Sequence, residues 1–261
     1  MKTRPTTFLL SILAALFFLL PAVTMAQDES PPPLAEMWLA TPKAGHGSEF
    51  KEALARHMKF RAENGDPREW QAYTPLLGEN LNQVGIRSCC FNWADVDSYR
   101  TWGQNNSKIS EHFDEHVAPH AEHWAHYFET LHWNHSHWAD GADDATLYAV
   151  TEFHIKPGHE ADFRAARDKL LQIALNQGWA NDDRSWIWST TVGGSPRESI
   201  IIPHPNFASM DRDEDSFSRF LSRHMGDEAA AALLKKFASS TTGSEFQIWE
   251  HQKELSMESG D

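Results

Sequence analysis

Cysteine is nearly absent: the 261-residue chain holds two, side by side at Cys89-Cys90. That excludes a multi-bridge disulfide scaffold, a spaced thiol set for zinc and a CxxCH attachment for haem. Neighbouring side chains on a strand point to opposite faces, so the pair predicts free, mostly buried thiols. A vicinal disulfide, an intermolecular bridge and a reactive thiol are the alternatives. Positive charge is also scarce, with 23 Lys and Arg against 37 Asp and Glu and a formal net charge of -14. Such a field opposes binding to nucleic acid or anionic lipid. No HExxH helix, phosphate-cradling glycine loop, serine elbow or kinase signature occurs. Asp211, Asp213 and Asp215 alternate like a calcium loop but lack its glycine and closing glutamate, and Gly193-Gly194 reads as a hairpin turn.

Long apolar runs are missing too, apart from Phe8–Leu20. Lys2 and Arg4 precede that run and small residues ending in Ala26 follow it. This pattern predicts a secretory leader over residues 1–26, cleaved after Ala26, with a retained anchor as the alternative. Export to the periplasm or beyond is therefore expected, with no stable membrane insertion once the leader is gone. Residues 27–34 include three consecutive prolines and read as a flexible tether.

What is abundant is aromatic and imidazole: 11 Trp, 15 Phe and 15 His. Two stretches also repeat. Met37-Trp38-Leu39-Ala40 leads to Lys43-Ala44-Gly45-His46 and then Phe50; Leu147-Tyr148-Ala149-Val150 leads to Lys156-Pro157-Gly158-His159 and then Phe163. Gly-His and Phe are equally spaced in both, which points to two similar units, 35–139 and 145–253, joined by a polar linker at Asp140–Asp144. In the first, Ser48 is the expected N-cap of a helix carrying Phe50, Ala53, Leu54, His57 and Met58 on one side. Strands are expected at 69–74, 84–91 and 127–133, with a short helix at 95–102. The second unit places a helix on Phe163, Ala166, Leu170, Ile173 and Ala174, strands at 186–192, 199–202 and 245–251, and helices at 217–225 and 228–237. The tail after Lys253 reads as frayed.

Each unit thus follows the order β-α-β-β-α-β, an α+β class with tandem ferredoxin-like domains. A sheet covered by helices on one face leaves the other bare, so the two sheets are expected to pack together as a pseudo-dimeric α/β barrel. This order, with the repeated Lys-x-Gly-His turn and the following phenylalanine, resembles the dimeric α/β-barrel superfamily of monooxygenase-like and stress-responsive domains. The resemblance implies two ferredoxin-like units packed sheet to sheet, as a fused tandem or a homodimer. Members include cofactor-free quinol oxygenases and haem-binding enzymes.

The densest candidate site is the histidine run. His112, His116 and His120 are spaced i, i+4, i+8, and His123 follows; on one unbroken helix they would offer imidazoles to a transition metal or haem iron. Pro119 opposes that continuity, and partly exposed histidines packed on tryptophan are the plainer reading. His57 and His120 are the candidate general bases. Trp70, Trp93, Trp186, Trp188 and Trp249, in or beside the strands, are expected to line any pocket left between the sheets. Such a pocket suits a small hydrophobic or aromatic ligand. The leading functional expectation is an exported binder of such a ligand, or a non-catalytic domain protein. Alternatives are a cofactor-independent or haem- or metal-dependent monooxygenase-like oxidoreductase, and an acidic protein-interaction module.

Overall fold

In the computed structural model, residues 31–211 and 215–257 are described. The expected leader, half of the tether and part of the 211–215 acidic run lie outside them. The described residues form six α-helices and eight strands: β1 Leu34–Pro42, α1 Gly47–Glu63, β2 Gln71–Leu77, β3 Val84–Phe91, α2 Trp93–Asn105, α3 Lys108–His116, β4 Ala121–Leu131, β5 Leu147–Ile155, α4 Glu160–Asn176, β6 Ile187–Val192, β7 Arg197–His204, α5 Phe217–Met225, α6 Asp227–Ser239 and β8 Thr241–His251. All strands are antiparallel and close into one barrel in the order β1-β3-β2-β8-β5-β7-β6-β4. The β2–β8 and β4–β6 pairings join strands from the two parts of the chain, so residues 31 onward make one compact unit.

Strand alternation decides which side chains meet the helices and which meet the lumen. Val84 and Ile86 join Phe50, Leu54 and Met58 in the core outside the barrel, under α1. Gly85 between them faces inward, where Trp249, Leu39 and Met37 would all lie within 4 Å of an added Cβ. The second core sets Phe163 and Leu171 of α4 against Trp186 and Trp188. Burying these aromatics on one helix face contributes about 2 to 3 kcal/mol each.

Several boundaries depart from expectation for local reasons. His46, not Ser48, precedes α1, and it makes no side-chain cap. The histidine segment is not one helix: α3 stops at His116, one 3-10 turn spans Ala118–His120, and β4 starts at Ala121. Pro119 removes the backbone donor a longer helix needs. The tail is not frayed before residue 258. Leu255 and Met257 are buried in the core under α1, and Met257 N donates to Trp70 O at 2.8 Å. Cys89 and Cys90 are joined as a vicinal disulfide rather than standing as free thiols. No helix among the described residues is long and apolar enough to cross a membrane.

Candidate functional site

The outer face of β1 and β4 carries a histidine paired with a carboxylate. Trp38 and His126 lie directly opposite each other in the β1–β4 register, and their rings stack at 3.8 Å with planes 10° apart. Glu36, two residues along β1 and so on the same face, is buried beside them. Its Oε1 takes hydrogen bonds from His126 Nε2 at 2.8 Å and Trp38 Nε1 at 3.0 Å, and its Oε2 pairs with Arg68 Nη1. Burial alone would raise the Glu36 carboxyl. The His126 hydrogen bond, the Arg68 guanidinium and the Trp38 hydrogen bond outweigh it and hold the group below its usual value. Arg68 is in turn clasped between Phe91 at 3.9 Å and Tyr99 at 4.0 Å.

An ionised carboxylate only accepts, so His126 Nε2 donates, and in the neutral imidazole Nδ1 is the acceptor. No protein group among the described residues bonds that nitrogen, and the His126 side chain is 36% exposed. Phe128, next along the same face, lies 5.4 Å from the His126 ring and 5.5 Å from Trp93. Trp93, the first residue of α2, is 53% exposed. The result is an oriented imidazole with a free acceptor on an open aromatic shelf.

His57 is placed differently. It is 1% exposed on the buried face of α1. Arg61 Nη1 reaches its Nε2 at 3.1 Å and His112 Nδ1 lies 3.1 Å from its Nδ1, so both nitrogens are taken. Burial first, then Arg61, His112 and His116, push it down to about 3. Arg61 also holds Asp66 at 2.7 Å and the Tyr99 hydroxyl at 2.6 Å, tying α1 to α2. His57 therefore stitches helices together and has no nitrogen left for a substrate.

The four histidines expected as metal ligands are not brought together. His112 and His116 share α3, with rings 4.5 Å apart. His120 sits in the 3-10 turn beside His46, at 5.8 Å, with a buried Nδ1 that lacks a partner. His123 is exposed on β4 opposite Thr41. Among the described residues no three His, Cys, Asp or Glu side chains are grouped to hold a metal ion, so this set does not fit a metal centre.

The five tryptophans do not share a pocket either. Trp70 is buried under α1, and Trp186 and Trp188 under α4, all outside the barrel. Trp93 is on the surface, and only Trp249 meets the lumen, against Gly85. The lumen is mixed: apolar Met37, Leu39 and Trp249 surround Gly85, while Arg197 donates to Glu152 at 2.9 Å, Arg87 lies 3.9 Å from Glu129, and Tyr73 meets Tyr148 at 5.4 Å. Burial raises the Glu129 carboxyl. In the other helix layer, Arg167 pairs with Glu198 and His132 bonds Thr190 at 2.6 Å, with burial as the first cause pushing His132 down to about 4.

The sequence pattern singles out none of His126, Glu36 and Arg68. The available signal was strand parity: Glu36-x-Trp38 in β1 and His126-x-Phe128 in β4 each put a polar and an aromatic residue on one face.

No family profile and no curated protein matches the chain by sequence. Solved structures do match by shape. A proposed monooxygenase from Lactobacillus acidophilus aligns with TM-score 0.51 at 10% identity, over 84% of this chain and 94% of that one. A proposed monooxygenase from Fusobacterium nucleatum aligns with TM-score 0.52 at 10% identity, over 88% and 96%. A chlorite dismutase variant from Candidatus Nitrospira defluvii gives 0.49 at 7% identity, over 87% and 94%. The first two of these share the fold seen here, a closed antiparallel barrel with helices packed outside it.

Proposed function

We infer that this chain is a monooxygenase-like oxidoreductase acting on a planar hydroxyarene without a nucleotide cofactor. The observation that carries the reading is His126, held by Glu36 with its second nitrogen free beside exposed aromatic rings. Sharing a fold with two proposed monooxygenases agrees with it.

The substrate ring lies against Trp93 and Phe128, and its hydroxyl meets His126 Nδ1. Glu36 fixes the tautomer and stabilises the imidazolium that forms when the proton arrives. The resulting aryloxide is electron-rich enough to reduce dioxygen. A ring C–H becomes C=O and the hydroxyl becomes a second carbonyl, a four-electron loss; one oxygen atom enters the ring and the other leaves as water. On this reading the duplicated units 35–139 and 145–253 are a fused tandem, the site belongs to the first, and residues 1–26 direct export.

The test is oxygen uptake by the purified chain with hydroxynaphthalenes as probes, in chelator and without flavin or nicotinamide. Uptake that yields quinone and falls by about 100-fold or more in His126→Ala supports the reading. No uptake, or the same rate in that variant, overturns it.

A further inference from the structure

The last residues of β3 depart from a regular strand. Cys89 pairs with Ala35 of β1 and Phe91 with Leu34, with a register shift between them, so Cys90 is an extra residue without a β1 partner. On the other side β2 pairs with β3 only as far as Arg87. The two cysteines differ in surroundings: Cys89 packs on the buried cluster of Ala35, Leu131 and Ile187, whereas Cys90 is exposed. Their disulfide ties that cluster to the surface. Neighbouring side chains on a regular strand point to opposite faces, so a bond between adjacent cysteines and the bulge belong together.

Phe91 follows at once. The extra residue brings it opposite Leu34, on the face that Leu34 shares with Glu36 and Trp38. Two routes run from its ring to His126. Phe91 and Tyr99 hold the Arg68 guanidinium between them, Arg68 pairs with Glu36, and Glu36 bonds His126 Nε2 at 2.8 Å. By the second route Phe91 meets Phe128 at 6.2 Å, and Phe128 meets His126 at 5.4 Å. A change at the bulge therefore has a path to the imidazole that the proposed chemistry uses.

We propose that Cys89–Cys90 is a thiol-exchange site, reduced by a dithiol, and that its redox state sets how firmly Phe91 backs the Arg68–Glu36–His126 chain. A thiolate of the dithiol attacks Cys90 Sγ, on the exposed residue. The Sγ–Sγ bond breaks, its electron pair passes to Cys89 Sγ, and that sulfur takes a proton from water. The second sulfur of the dithiol then displaces Cys90, which leaves as a thiolate and is protonated; the dithiol ends as a disulfide, two electrons having passed to the protein. With the bond open, the bulge is no longer held, Phe91 loosens against Arg68, and Glu36 loses part of its support. A small disulfide closes the pair again by the reverse exchange. The effect on turnover rests on the activity inferred for His126; the exchange itself does not.

The test treats the full chain, isotopically labelled at histidine nitrogen, with dithiothreitol and then with iodoacetamide, without denaturant. Alkylation of both Cys89 and Cys90 is expected after dithiothreitol and of neither before it, and oxidised glutathione should close the pair again. The His126 ring nitrogen signals should shift on reduction. Cys90→Ser, which cannot close the bond, should show the same shift with no reductant present, and wild-type reduction carries the test if that variant does not fold. The variant should also take up oxygen about tenfold more slowly, the scale of losing one desolvated cation–π contact. The ring signals need no turnover, so a lack of oxygen uptake by both proteins counts against the hydroxyarene reading alone. The proposal is overturned if the cysteines are alkylated before reduction, if the pair resists dithiothreitol until the chain unfolds, or if it opens without moving the His126 signals.

Discussion

Arg61 Nη1 lies 3.1 Å from His57 Nε2, and that contact decides where the His57 proton resides. A guanidinium can only donate, so Nε2 accepts and Nδ1 carries the hydrogen. Nδ1 then donates to His112 Nδ1 at 3.1 Å, which leaves the His112 proton on Nε2. One arginine thus sets two tautomers along α1 and α3.

The pH dependence of stability follows. His57 falls from 6.5 in the unfolded chain to about 3 when folded. Its neutral form is favoured by folding, so its contribution is complete above pH 6.5 and is lost as pH drops from there toward 3. The slope from this side chain approaches about 1.4 kcal/mol per pH unit. Urea unfolding at pH 7 and pH 5 should show wild type losing more stability than His57→Leu over the same interval.

Glu36 joins the proposed site to the fold. Glu36→Gln removes the charge facing Arg68 while keeping the side chain's shape. A buried guanidinium without its counter-ion costs about 3 to 5 kcal/mol, and the expected result is a clear fall in melting temperature. Arg68→Met with Glu36→Gln should recover part of that loss, as a double-mutant cycle in thermal unfolding would show. Recovery of stability without recovery of oxygen uptake would separate the structural from the chemical contribution of Glu36.

Trp93 predicts the opposite pattern. It is more than half exposed and touches Phe128 at 5.5 Å. Trp93→Ala should change unfolding free energy by less than about 0.5 kcal/mol. It should raise KM for a hydroxyarene more than it lowers kcat, since the ring holds substrate and moves no proton.

In the lumen, Gly85→Val should be among the most damaging single changes. The nearest atom of Trp249 would lie 3.3 Å from the new Cβ, with Leu39 and Met37 close behind. Overpacking of this kind costs about 1 to 3 kcal/mol. Gly47→Ala, where the space is open, is the control that should leave thermal unfolding nearly unchanged.

The repeated turns and the stripe Phe50, Ala53, Leu54, His57, Met58 were legible because helix periodicity and turn chemistry are local. All five stripe residues are buried as expected. The eight-stranded barrel followed from asking what covers a bare sheet face, and strand order supplied the rest. The histidine run misled because imidazole spacing was read as helical, whereas Pro119 turns the chain into β4 and sends His123 and His126 to strand positions. The tryptophans misled because hydrophobicity does not say which face of a sheet is lined by helices. The lumen instead took Tyr73, Tyr148 and two arginines, a choice made by cross-strand pairing between residues far apart in sequence. Glu36 and Arg68 went unseen for the same reason: a buried ion pair leaves no local pattern.

Met257 tucked beneath Trp70 has a practical bearing on how this protein can be handled. Leu255 and Met257 complete the hydrophobic interior assembled from residues 40–121, so the amino-terminal portion expressed alone would carry an unplugged hole beneath α1. A carboxy-terminal fusion begun too early would pull out that plug. Anyone dividing the polypeptide between β4 and β5 should supply residues 253–257 in trans, and regained solubility would measure how firmly they clasp.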